Sequence, residues 1–127
     1  MLKMSLAVRR RPDLTHAKFL DYWRDVHGPL VIRLAKDIRL RRYVQLHGAD
    51  GELARQYVAY RGVDGLHDGV AQLWWDSEAD RLAAAETPEG AEAARLLRED
   101  ELRFCDLGRS TVCFGLETLI YDATSLS

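Results

Sequence analysis

"LKMSLAVRRRPDLTHAKFLDYWRDVHGPLV", Leu2–Val31, changes its hydrophobic period once, and that change sets the fold class. Leu2, Met4, Leu6 and Val8 alternate with Lys3, Ser5, Ala7 and Arg9, which is the period of a strand with one strongly apolar face. "RRPDL" is a polar turn around Pro12. From Thr15, a plausible N-cap, the apolar spacing becomes three to four: Phe19, Tyr22, Trp23 and Val26 form a helical stripe, with Asp21, Arg24 and Asp25 off it. Gly28 and Pro29 predict a stop, because glycine accepts a left-handed C′ position and proline cannot continue the hydrogen-bond ladder. "LVIRLAKDI" then predicts one or two further helical turns, with Leu30, Ile32 or Arg33, and Leu34 partly buried.

Further along, "RLRRYVQLH" predicts a second strand with Leu40, Val44 and Leu46 on one face and Tyr43, Gln45 and His47 on the other. Residues 48–67, "GADGELARQYVAYRGVDGLH", are glycine-rich and aperiodic and predict a long loop, a class of segment that is often functional. "DGVAQLWWD" predicts a third strand, and "SEADRLAAAE" a short helix. "TPEGAEAARLLREDELRF" predicts a stronger helix, capped by Thr87 with Pro88 at its first position. "STVCFGLETLIYD" predicts a fourth strand, alternating Val112, Phe114, Leu116 and then Ile120.

The order β-α-β-β-α-β is that of the ferredoxin-like α+β fold, a four-stranded antiparallel sheet with helices on one face, here expected as one domain over residues 1–127. The other sheet face also carries bulky residues, with Tyr43, one of Trp74 and Trp75, and Leu119 assigned to it. A sheet that is apolar on both faces needs a second cover, and another copy of the chain is the economical one. A homodimer with two sheets packed face to face is therefore expected.

Composition narrows the function classes. Net charge is −2, yet the first 63 residues hold 13 of the 18 Lys+Arg and only 6 of the 20 Asp+Glu. The arginines scatter over at least three predicted elements, without a basic tail or a helix-turn-helix pattern, so no nucleic-acid partner is expected. No run approaches the ~20 apolar residues of a membrane span, and "MLKMSLAVRRR" lacks a signal-peptide pattern, so the expectation is a cytoplasmic protein with no membrane partner. Cys105 and Cys113 show no CxxC spacing and read as small buried hydrophobes. The four histidines show no HxH or HExxH spacing, so no metal site is expected, and no nucleotide or hydrolase motif is present.

"RRRPDLTHAKFLDYWRDVHGPLV" resembles the opening signature of the EthD family, in the dimeric α+β barrel superfamily, with a tryptophan four residues before His-Gly-Pro. "DGVAQLWWDS" and "LRFCDLGRS" resemble its third-strand and late-helix segments, and only the loop at about residues 48–66 falls outside the likeness. The resemblance implies a barrel-forming homodimer with a pocket between sheet and helices. Related members resemble dehydratases, decarboxylases and cyclases of aromatic polyketide pathways. Neighbouring families include cofactor-free monooxygenases. The family often carries an acid where this chain has Gln72, so no carboxylate base is implied at that position here.

His27 has two readings: a helix-terminal histidine that satisfies carbonyls, or an acid/base group beside an apolar wall. With the family motif behind it, His27 is the candidate catalytic residue, with Tyr60 and His47 as further catalytic candidates. Tyr22, Trp23, Tyr43, Gln72 and Trp74 are the substrate-binding candidates, while His16 and His67 read as surface. Trp74 and Trp75 are adjacent in a strand, so one faces the pocket and the other the opposite side. The expected function is a cofactor-independent lyase, dehydratase or cyclase, acting by enolisation on a small apolar or aromatic carbonyl compound of polyketide type. The alternatives are a cofactor-free monooxygenase and a non-catalytic binder of hydrophobic ligands.

Overall fold

A computed structural model describes residues 1–125, so the last two residues of the expected 1–127 span lie outside the described residues. Four strands, β1 (Leu2–Val8), β2 (Arg42–His47), β3 (Gly69–Trp75) and β4 (Thr111–Leu116), form one antiparallel sheet in the order β2-β3-β1-β4. The helices are α1 (His16–Tyr22), α2 (Gly28–Leu34), α3 (Glu52–Arg61), α4 (Glu78–Ala85) and α5 (Pro88–Glu101). This is the ferredoxin-like α+β architecture expected from the sequence. Among the described residues, no helix is long and apolar enough to cross a membrane.

Register fixes the faces. Leu2, Met4, Leu6 and Val8 lie opposite Trp75, Leu73, Ala71 and Gly69, and this face meets the helices. Phe19, Trp23 and Phe104 pack on it with Val8, Ala71, Leu73 and Trp75, and their aromatic rings sit 5.4–5.5 Å apart. A second apolar cluster joins α2 to α5 through Leu34, Ile38 and Ala93.

Several sequence expectations need correction. On β2, Tyr43, Gln45 and His47 pair with Leu73, Ala71 and Gly69 and so face the helices, while Val44 and Leu46 face away. The apolar pattern misleads there because the inward polar side chains are satisfied by each other: Gln45 Nε2 donates to the Tyr43 hydroxyl, and Gln45 Oε1 pairs with His47 Nε2. Residues 48–66 are not all loop, since α3 occupies Glu52–Arg61. That helix buries no residue, hence its missing stripe, and it ends at Gly62 with φ of 66° in the left-handed region. The fourth strand stops at Leu116, short of Ile120. Val31 and Leu34 are buried in α2, whereas Ile32 is exposed. Cys105 is buried as expected, but Cys113 is exposed.

Gly28 and Pro29 do not stop the helix. The chain widens into a π turn over Trp23–His27 and continues directly into α2. Gly28 keeps right-handed helical torsions, and its N–H reaches five residues back to the Trp23 carbonyl. Pro29 has no N–H to donate and its ring would crowd the carbonyl four residues back, so a wider turn relieves both constraints. The same Trp23 carbonyl accepts from Gln45 Nε2 at 2.9 Å, which ties the bulge to β2.

Candidate active site

His27 is the last residue of the π turn and is only 6% exposed. Its Nδ1 lies 2.8 Å from Asp100 Oδ2, while its Nε2 makes no hydrogen bond among the described residues. Asp100, also buried, accepts 2.5 Å from the Tyr22 hydroxyl and 3.1 Å from Arg103 Nη1 through its other oxygen. Burial alone would raise the Asp100 pKa, but the hydrogen bonds from Tyr22, His27 and Arg103 outweigh it and hold the carboxyl below the usual range. Burial lowers the His27 pKa more than Asp100 raises it. The imidazole is therefore neutral at neutral pH, with its proton on Nδ1 toward Asp100 and its lone pair on Nε2.

A cavity of about 170 Å³ lies between the sheet and the helices, and His27 lines it. Trp23, Tyr43, Trp75, Phe104 and Phe114 supply aromatic wall, and Met4, Leu6 and Leu73 its aliphatic part. A carboxyl, Glu101, and a guanidinium, Arg81, also line it. A void of about 150 Å³ holds a benzene-sized molecule, so this one suits a single ring with small substituents.

Tyr43 is pushed up to about 12 by burial, against the hydrogen bond from Gln45, and so stays a phenol. Because its oxygen accepts from Gln45 Nε2 at 2.8 Å, its own proton is free to be donated.

The cavity collects three of the sequence candidates: His27, Trp23 and Tyr43. Tyr22 stands behind it, holding Asp100. His47 stacks on Trp23 at 5.3 Å and bonds Gln45, and does not line the cavity. Tyr60 is 87% exposed on α3 and is not brought to the cavity. Gln72 and Trp74 face the opposite side of the sheet, so the pocket wall expected of Trp74 is supplied by Trp75. Trp75 is anchored by its indole N–H to the Ile38 carbonyl at 2.9 Å. Trp74 lies between Lys3 and Arg42, at 4.6 and 4.8 Å, and donates to Glu117.

His16, read as surface, is half-buried, with Nδ1 2.7 Å from Asp68 and Nε2 2.8 Å from the Gly48 carbonyl. Asp100 and Glu101 escaped the sequence reading because "REDELRF" looks like a solvated charged face. The available signal was the helical spacing that puts Asp100 and Glu101 one turn before Phe104, on the side of α5 that meets the core. Among the described residues, no group of three or more His, Cys, Asp or Glu is placed to hold a metal ion.

An EthD domain model matches residues 11–108, and the chain belongs to the EthD family. An ethyl tert-butyl ether D family protein from Bacillus halodurans is similar in structure, with 18% identity over 93% of this chain and 100% of the other, at a TM-score of 0.57. A dimeric protein of unknown function with a ferredoxin-like fold from Bacteroides fragilis has 11% identity over 90% and 93% of the two chains, at 0.56. A dimeric ferredoxin-like protein of unknown function from Thermobifida fusca has 15% identity over 90% and 88%, at 0.55. No functionally curated protein matches the sequence.

Proposed function

We propose that this EthD-family chain is a cofactor-independent enzyme that enolises a small, largely apolar carbonyl compound, of single-ring aromatic or polyketide type. One observation carries the reading: Asp100 holds His27 Nδ1, and the unpartnered Nε2 belongs to a residue lining an apolar cavity. Asp100 fixes the tautomer and supports the imidazolium that forms when Nε2 takes a proton from the carbon beside the carbonyl. Tyr43 donates to the developing enolate oxygen, and Trp23 and Trp75 exclude water from it.

The active unit is a homodimer. Val112, Phe114 and Leu116 of β4 are each more than half exposed, and Leu119, Ile120 and Tyr121 beyond it are more exposed still. So large an apolar edge calls for a cover. The dimeric descriptions of similar structures make a second copy the natural one. Native mass spectrometry reads this directly, and a monomer at micromolar concentration refutes it.

Cyclohexanone in heavy water tests the chemistry. Wild-type protein is expected to accelerate deuterium uptake beside the carbonyl, and His27→Ala to abolish the acceleration. Binding of the ketone without exchange would refute enolisation and favour a ligand-binding role for the cavity.

A further inference from the structure

The enolisation reading leaves a carboxyl in the cavity wall without a task. Glu101 closes α5 and lines the same cavity as His27. Its neighbour Asp100 spends both oxygens on Tyr22, His27 and Arg103. The Glu101 carboxyl has no hydrogen bond or ion pair among the described residues. Such a group inside an apolar wall is kept in its neutral form by its surroundings. Burial and the Asp100 charge push it up to about 7, against the nearby Arg98. Near neutral pH a large share of it is the protonated acid, in a cavity that His27 lines as a neutral base. This pairing is the acid/base division of labour that elimination of a neutral molecule needs.

We propose that Glu101 is the general acid of a dehydration, and that the substrate is a single-ring or similarly small β-hydroxy carbonyl compound converted to the conjugated enone. The proposal rests on His27 acting as the base. His27 Nε2 removes the proton from the carbon between carbonyl and carbinol. That C–H pair forms the C=C bond as the C–O bond breaks, and the Glu101 proton goes to the departing oxygen, releasing water. The imidazolium then returns a proton to the Glu101 carboxylate, and no oxidant or reductant takes part. A cavity of about 170 Å³ has no room to fold a long polyketide chain, which sets this reaction apart from a cyclisation. Loss of carbon dioxide would leave Glu101 no departing oxygen to protonate.

The test uses three ring ketones that separate the two residues. With 3-hydroxycyclohexanone, appearance of cyclohexenone reads the full reaction. With cyclohexanone, deuterium exchange reads the base alone. With 3-acetoxycyclohexanone, the leaving acetate needs no proton, so elimination again reads the base alone. Glu101→Gln is expected to lower dehydration by ~10²-fold or more. Exchange and acetate elimination stay within about threefold of wild type, which also shows that the variant is folded. His27→Ala loses all three.

In the wild type, dehydration rises with pH as His27 loses its proton and falls as Glu101 does. The ionisable groups that face Glu101 are Asp100, Arg98, Tyr43 and Cys105, and Glu101→Gln removes the second limb. Dehydration by Glu101→Gln at the wild-type rate, or exchange by the wild type with no dehydration, overturns the role of Glu101 and leaves His27 standing. No exchange by the wild type overturns both.

Discussion

Replacing Asp100 by Asn tests the centre of the site through stability, independently of any substrate. Asp100 is 4% exposed and accepts from three donors: Tyr22 at 2.5 Å, His27 at 2.8 Å and Arg103 at 3.1 Å. Arg103 is largely exposed, so its bond counts for little. The other two are charge-assisted and buried, worth roughly 1.5–3 kcal/mol each when intact. Asn keeps one acceptor oxygen but turns an N–H₂ toward one of these donors. A net loss of about 2–4 kcal/mol follows, or ~8–16 °C in melting temperature for a chain of this size.

The pH dependence has a definite sign. The Asp100 pKa is lowered by folding, so its contribution is complete above the ordinary aspartate value of about 3.9 and is lost as pH falls through the lower folded-state pKa. The gap between wild type and Asp100→Asn should therefore persist from neutral pH down to about pH 5 and close only under strong acid. Urea unfolding followed by tryptophan fluorescence measures it. A variant within ~0.5 kcal/mol of wild type at pH 7 would refute the claim that this carboxylate organises the site.

Other substitutions probe separate parts of the argument. Both His16 nitrogens face pure acceptors, so the clamp to Asp68 and Gly48 requires the imidazolium, and the hydrogen bond to Asp68, against burial, raises its pKa. Its stabilisation is complete below the unfolded value of about 6.5 and is lost as pH rises through the folded value, so His16→Gln should destabilise at pH 5.5 and be close to neutral at pH 9. The ring is partly exposed, which keeps the effect at or below about 1 kcal/mol. Gly69→Ala would put a methyl 2.5 Å from the Trp23 indole and 2.6 Å from the Leu46 carbonyl, and should cost about 1–3 kcal/mol in urea unfolding. Nitrogen-15 spectra of His27 at pH 7.5 should show a neutral ring protonated at Nδ1, and an Nε2–H form would count against the proposed base.

The sequence carried β1 because Leu2, Met4, Leu6 and Val8 alternate with Lys3, Ser5 and Ala7 and face the core, and it carried β3 because residues 70–75 are a short, nearly all-apolar run between turn residues. It failed on β2, where the inward side chains are Tyr43, Gln45 and His47, polar groups that bond one another and so tolerate burial. It failed on α3 for the opposite reason: a helix that buries no residue needs no strong stripe, and only Gly51 and Gly62 bracket it. In the candidate site, His27 and Trp23 were legible through their spacing. Asp100 and Glu101 were not, because adjacent acids in a run of charges look solvated until the partner element is known.

The π turn explains how one short motif serves the site. Proline two residues after His27 removes the N–H that an ordinary α turn would use, and the chain widens there. Widening frees the Trp23 carbonyl to take both the Gly28 N–H and the Gln45 amide. Gln45 in turn donates to the Tyr43 hydroxyl, so the proposed base and the proposed enolate donor are tied to one amide side chain. Trp23 rests against Gly69, where a side chain would collide with it, and this fixes the start of the bulge on the sheet. Its end is fixed by the His27–Asp100 bond to α5. The Gly-Pro pair after His27 thus acts less as a helix terminator than as the device that turns an imidazole out of the helical ladder and toward the cavity. On that account Gln45→Leu, which touches neither His27 nor Asp100, should lower ketone exchange while leaving the Nδ1 tautomer of His27 in place.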